Sequence, residues 1–171
     1  MPITKRDAAS PARLAKRLPD GPAILGWREW IAIPSLGIPA IKAKVDTGAR
    51  TSALHAFYIE AFREHGRERV RFGMHPLQNR EDIAVDCVAD VLDQRLVSDS
   101  GGHTEMRYVI KAPIRLGDQE WPAEMTLTNR DTMKFRMLLG RSALWGRYLV
   151  DPHISYAAGR LPRAAYRKHR A

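Results

Sequence analysis

The residues best suited to chemistry in this chain are Asp46-Thr47-Gly48-Ala49, which end the stretch Ile41-Lys42-Ala43-Lys44-Val45. Apolar and basic residues alternate up to Asp46, as in a strand, and the strand stops at a glycine turn. A carboxylate in that place is held rigidly and still faces a cleft. The small hydroxyl of Thr47 can donate a hydrogen bond beside it. Gly48 lets the backbone turn tightly and lets a second chain come close. Such a carboxylate can exchange protons with a water and a peptide carbonyl. The same residues also read as an ordinary turn, since Asp and Gly are common there, so the elements around them have to decide.

Those elements are short and extended. Trp27-Arg28-Glu29-Trp30-Ile31-Ala32-Ile33 is rich in aromatic and β-branched residues and predicts a strand. Pro34 to Pro39 turns the chain, and Ala40–Val45 leads into Asp46. Thr51 to Glu60 is expected to continue as extended chain, with a helix reaching Glu64 as the alternative. His65-Gly66 turns into the alternating run Arg67–Phe72, and Met74–Asp82 is a polar loop. Ile83, Val85, Cys87, Ala89 and Val91 fall on one face of a further strand. Ser98-Asp99-Ser100-Gly101-Gly102 reads as a flexible tip. Tyr108, Ile110, Ala112, Ile114 and Leu116 line one face of the clearest strand, and a turn at Gly117-Asp118 leads to a partner bearing Trp121, Ala123, Met125 and Leu127. Phe135–Leu139 ends at Gly140-Arg141. Ser142–Gly146 follows as one helical turn, capped by Ser142 and stopped by Gly146. Many short strands with regular turns predict an all-β fold, a small closed β-barrel with one short C-terminal helix.

The 171 residues, 44% of them hydrophobic, suit one globular domain with a real core. The body is expected over 24–158, between a basic N-terminal extension (1–23) and a basic C-terminal tail (159–171). Ser10-Pro11 can cap a short basic helix through Leu18 in the extension. The net charge is +9, of which residues 1–20 carry +3 and residues 160–171 carry +5. Basic tails of this kind touch RNA, ribosomes or acidic partners, or else are solvated mobile ends. The single Cys87 excludes a disulfide framework and a Cys-based zinc site. There is no His-Glu-x-x-His, and His55, His65 and His75 sit ten residues apart, a spacing that puts no two on one helical face. No phosphate-binding Gly-Lys-Ser/Thr loop is present. No metal or other cofactor is therefore expected. The absence of a long apolar run near Met1 gives a cytoplasmic protein without membrane contact as the expectation.

Three features stand in one order: Val45-Asp46-Thr47-Gly48-Ala49, the Gly-rich tip at Ser98–Gly102, and Met137-Leu138-Leu139-Gly140-Arg141 before a helical turn. This order resembles the retropepsins: an Asp-Thr-Gly-Ala strand end, a flap hairpin, and an apolar-apolar-Gly-Arg segment. The chain is more closely similar to the bacterial retropepsin-like family once described as ATP-dependent zinc proteases. One group of that family accompanies the ligase that adds glutamates to a small-subunit ribosomal protein. The matching stretches are Lys44–His55, Phe72–Leu77, Leu127–Arg130, Phe135–Arg141 and Leu149–Pro152. The resemblance implies a small aspartic peptidase with Asp46 as its catalytic carboxylate and Thr47, Gly48 and Ala49 in support. It also implies an acidic peptide or ribosomal protein as substrate and a glutamate ligase as a partner.

Peptide hydrolysis by carboxyl groups needs two of them sharing a proton. Asp131-Thr132-Met133 and Asp151-Pro152-His153 lack the glycine, so the second carboxylate is expected from a second copy, in an isologous homodimer. Ser98, Gly101, Gly102 and His103 form the candidate flap, with Gly73–Asp82 as its rival. Viral retropepsins carry an acidic residue after Asp-Thr-Gly-Ala, in position to pair with the Arg of Gly-Arg. Here that position holds Arg50, so Arg141 needs another partner. Two arginines at one cleft would favour an acidic substrate, while pairing with Glu124 or another surface acid is the alternative for Arg50. A binding module without catalysis is the competing functional reading.

Overall fold

A computed structural model describes residues 23–169; the helix expected up to Leu18 lies outside them. The described chain is mostly extended. Its strands are β1 (Ala23–Leu25), β2 (Arg28–Ile33), β3 (Ile38–Asp46), β4 (Ser52–His55), β5 (Tyr58–Glu64) and β6 (Arg67–Met74). They continue as β7 (Val85–Asp90), β8 (Asp93–Ser98), β9 (Thr104–Leu116), β10 (Gln119–Thr128), β11 (Met137–Gly140) and β12 (Tyr148–Val150). One four-residue helix, α1 (Arg141–Leu144), follows β11, and Arg163–His169 forms a 3-10 segment. No helix of the described residues is long and apolar enough to cross a membrane.

The strands form three sheets. The main one runs β10-β4-β11-β3-β2-β9-β8, and β9 also pairs with β10. A second sheet runs β5-β6-β7, and β1 pairs parallel with β12. The alternation read from the sequence sets which side chains go inside. Ile110, Ala112, Ile114 and Leu116 of β9 are buried, as are Trp121, Ala123, Met125 and Leu127 of β10. They join Ile31, Ile33, Ile41, Leu54, Phe72 and Leu139 in one core, each large side chain contributing roughly 1.5–3 kcal/mol. Arg115 and Glu120 face each other across the β9–β10 turn and pair at 2.9 Å. Exposed pairs of this kind contribute about 1 kcal/mol at most.

Four details differ from the expectation. The extended run from Thr51 to Glu60 is broken: β4 stays in the main sheet, and at Ala56-Phe57 the chain crosses to β5 of the second sheet. No helix reaches Glu64; Tyr58–Glu64 pairs with β6 throughout. Ser142 does not cap α1, because the helix already begins at Arg141 and Gly140 occupies the cap position with no side-chain bond. Glu124 does not meet Arg50; it pairs with Arg95 at 2.8 Å. Gly146 stands just past α1 with φ +72°, a conformation that ends a helix readily.

Two buried polar groups fasten the C-terminal segment. Glu29 is fully buried, and its carboxylate accepts the N–H groups of Gly26, Ala157 and Ala158 at 2.7, 3.0 and 2.9 Å. Burial pushes its pKa up, and these three donors oppose the rise. Tyr166 is also fully buried; its hydroxyl donates to the Ala40 carbonyl and accepts from the Ala40 N–H at 3.2 Å.

Candidate active site

Asp46 is the last residue of β3. The turn after it leads into β4, and β11 lies between these two strands, parallel to β3 and antiparallel to β4. Gly140 thus stands opposite Asp46. A Cβ on Gly140 would lie 2.5 Å from the Thr51 carbonyl carbon and 2.8 Å from the Ser52 nitrogen. Both are backbone atoms, so only glycine fits. Its N–H donates to Oγ of the fully buried Ser52 at 3.0 Å.

The first two N–H groups of α1 have no partner inside their own helix. They donate instead to the turn: Arg141 N–H to the Ala49 carbonyl at 2.9 Å, and Ser142 N–H to the Arg50 carbonyl at 3.0 Å. The Arg141 guanidinium reaches the Thr47 and Gly48 carbonyls at 3.2 and 3.3 Å. These carbonyls are the partner that the sequence left open for Arg141. Asp46 Oδ1 accepts the Gly48 N–H at 3.0 Å, and the Ala49 N–H reaches the Asp46 carbonyl at 3.2 Å. One carboxylate oxygen is therefore fixed, while Oδ2 makes no hydrogen bond among the described residues. Asp46 and Ala49 are half-buried; Thr47, Gly48 and Arg50 are exposed. The Arg50 side chain makes no ion pair among the described residues.

Ser98–His103 form the tip between β8 and β9. The tip is wound around Asp99, whose Oδ1 accepts the N–H groups of Gly101 and His103, each at 2.9 Å. Arg130 donates to Asp99 Oδ2 at 2.7 Å. That guanidinium, with the backbone donors of the tip, holds the Asp99 carboxyl down at about 2. Arg130 follows β10, so the tip is tied to a distant loop, a link that sequence spacing does not reveal. The Gly73–Asp82 loop is packed down more firmly. Leu77 is buried, and His75 stacks on Phe57 at 4.1 Å and hydrogen-bonds Asp131 at 2.9 Å. Neither loop makes a hydrogen bond to residues 46–50 among the described residues.

His55 ends β4 and is only 3% exposed. Burial lowers its pKa to about 4, helped by the charges of Arg107, Arg130 and Arg136. An unfolded chain takes up this proton near pH 6.5, whereas the folded chain resists it until about pH 4. Stability from this group is therefore intact above pH 6.5 and is lost as the pH falls towards 4, by on the order of 2–3 kcal/mol. Urea unfolding at several pH values checks this, with His55→Gln expected to flatten the dependence. An unchanged slope in that variant would assign the acid sensitivity elsewhere. Among the described residues no three His, Cys, Asp or Glu side chains gather to hold a metal ion.

The arrangement is a framed turn that leaves one carboxylate oxygen without a hydrogen bond among the described residues. Comparison with known proteins gives the family. A family model described as RimB-like, retropepsin-like aspartic endopeptidase RimB, matches residues 24–160. A protein named probable alpha-L-glutamate ligase from Shewanella pealeana is 49% identical over 140 residues, 82% of this chain and 31% of its own length. One of the same name from Parasynechococcus marenigrum is 51% identical over 138 residues, 81% of this chain and 30% of its own length. The chain thus spans about a third of the length of the curated relatives it matches. A crystal structure of a Legionella pneumophila protein of unknown function superposes with a TM-score of 0.66 at 25% identity, covering 79% of this chain and 97% of that one.

Proposed function

The chain belongs to the RimB-like family of retropepsin-like aspartic endopeptidases, and from that premise we propose that it cleaves peptide bonds as a homodimer with one Asp46 from each copy. The observation that carries this reading is the frame around Asp46. Gly140, Ser52 and the first two N–H groups of α1 fix the turn, yet Asp46 Oδ2 is left without a partner among the described residues. Two such carboxyl groups facing each other hold one proton between them. The ionised one takes a proton from water as the oxygen attacks the carbonyl carbon. The protonated one gives its proton to the carbonyl oxygen. Collapse of the tetrahedral adduct breaks the C–N bond, and the amine leaves with a proton from the dyad. The exposed Thr47 hydroxyl, which makes no hydrogen bond among the described residues, is then free to brace the partner copy. A closed retropepsin-like barrel is the form inferred for the body, supported by the β9–β10 pairing that links the two ends of a six-strand run. Ser98–His103 serves as the flap.

A glutamate-rich peptide, as on a tailed ribosomal protein, is the proposed substrate. Arg50, exposed and without an ion pair among the described residues, is the cation left to read it, since Arg141 is turned onto the Thr47 and Gly48 carbonyls. A glutamate ligase is the proposed partner, in keeping with the names of the curated relatives. The same relatives favour the second reading, a non-catalytic domain of a ligase system, because the matched region is only about a third of each. Mass spectrometry of a glutamate-extended peptide across an enzyme dilution series separates the two. The dimeric peptidase gives cleavage that falls with the square of concentration once dimers dissociate, in step with sedimentation. Cleavage that stays proportional to concentration while the chain sediments as a monomer would sink the shared dyad.

A further inference from the structure

A second feature lies on the side of the molecule formed by β2, β3 and the fastened C-terminal segment. Arg28 sits between two rings, its guanidinium carbon 4.6 Å from the Trp27 centroid and 4.9 Å from that of Tyr156. Lys42 Nζ is 5.3 Å from the Trp30 ring and 5.6 Å from Tyr156. Arg160 approaches the same Tyr156 ring at 5.0 Å. Three cations therefore share one aromatic ring. Arg163 lines a recess with Trp30 and Lys42.

These cations have no counter-charge among the described residues. None of Arg28, Lys42, Arg160 and Arg163 makes an ion pair among the described residues, and the one side-chain hydrogen bond is from Arg28 Nε to Ser155 Oγ at 3.2 Å. Arg80, also at the recess, is matched by Asp82. Glu29, next in sequence to Arg28, is turned inward onto three backbone N–H groups. Four like charges repel one another, and the rings offset only part of that. The cluster is nevertheless fixed, because Glu29 and Tyr166 hold the C-terminal segment against β2 and β3. Two of the five basic residues that the sequence assigns to a tail, Arg160 and Arg163, are thus mounted on a defined surface.

We propose that this face binds single-stranded nucleic acid. Phosphates satisfy the unpaired cations, and the half-exposed Trp27 and Tyr156 rings offer apolar contact to bases. An acidic peptide would meet the charges but bring no base to the half-exposed rings. Lys42 lies four residues before Asp46 on β3, about 13 Å along the strand, so this surface is distinct from the Asp46 turn and independent of the peptidase reading.

Fluorescence anisotropy with the full chain and a labelled oligouridine tests it, with oligodeoxythymidine distinguishing RNA from DNA. The triple variant Lys42→Gln, Arg160→Gln, Arg163→Gln is expected to weaken binding at least about tenfold and to reduce the salt slope by about two. A matched triple elsewhere, Arg71→Gln, Lys111→Gln, Lys134→Gln, removes the same charge from exposed positions and is expected to change binding by no more than about twofold. Arg160→Gln with Arg163→Gln alone, both exposed, repeats the test without disturbing the packed rings. Equal weakening by both triples would reduce the effect to net charge and overturn the assignment. So would absence of binding by the unmodified chain. Tighter binding of an oligoglutamate peptide, abolished by the first triple, would overturn it in favour of an acidic protein.

Discussion

Asp46→Asn is expected to lower cleavage of a glutamate-extended peptide by about a thousandfold or more, with no loss of fold. The amide has the shape of the carboxylate, and its oxygen can still accept the Gly48 N–H that Asp46 Oδ1 accepts at 3.0 Å. The turn therefore keeps its geometry while the dyad loses its capacity to hold and pass a proton. In the proposed dimer the effect is large because both copies lose the same group at once. Parallel incubations read by mass spectrometry, with thermal unfolding as the control for folding, give the result. A mixed preparation adds a sharper test, since a dimer of one intact and one substituted copy is expected to be inactive. Titrating the substituted chain into the intact one should then depress activity beyond simple dilution. Equal cleavage by the intact and substituted proteins would remove Asp46 from the reaction.

Gly140→Ala is expected to cost about 3 kcal/mol or more of stability and to abolish activity with it. The added Cβ would sit 2.5 Å from the Thr51 carbonyl carbon, and no rotamer change relieves a collision between backbones. The strand has to move, and with it go the Ser52 Oγ contact at 3.0 Å and the α1 N–H groups that hold Ala49 and Arg50. Ser142→Ala, two residues on, is the contrast. Ser142 is exposed and its side chain does not cap the helix, so a change within about 0.5 kcal/mol is expected. Urea unfolding with an unchanged m-value reads both. A Gly140→Ala protein as stable as the unmodified one would show that β11 does not need to enter the mouth of the Asp46 turn so closely.

The elements of this fold were legible wherever apolar residues alternate over a long run. The β9–β10 hairpin, the β6 and β7 strands and the strand into Asp46 all follow from a period of two, because a strand must bury one face. Short elements were not legible. β1 has three residues and owes its existence to its parallel partner β12, and the break at Ala56-Phe57 answers to the second sheet rather than to local preference. Ser142 reads as a cap by its type alone, but the cap falls on Gly140 and the helix starts two residues earlier.

The sequence by itself determined which carboxylate is the candidate, since Asp46-Thr47-Gly48 is a local pattern. It also determined that one chain carries a single copy of it. Only the tertiary structure decided how that carboxylate is framed. Gly140 and Arg141 converge on the turn and on Ser52 just after it from a strand and a helix far along the chain, and Arg130 reaches the Ser98–His103 tip in the same way. The basic cluster at Arg28, Lys42 and Arg160 is likewise invisible in order of residues. A hydrogen bond or a ring contact depends on distance in space, and spacing along the chain reports that distance only within one strand or one turn.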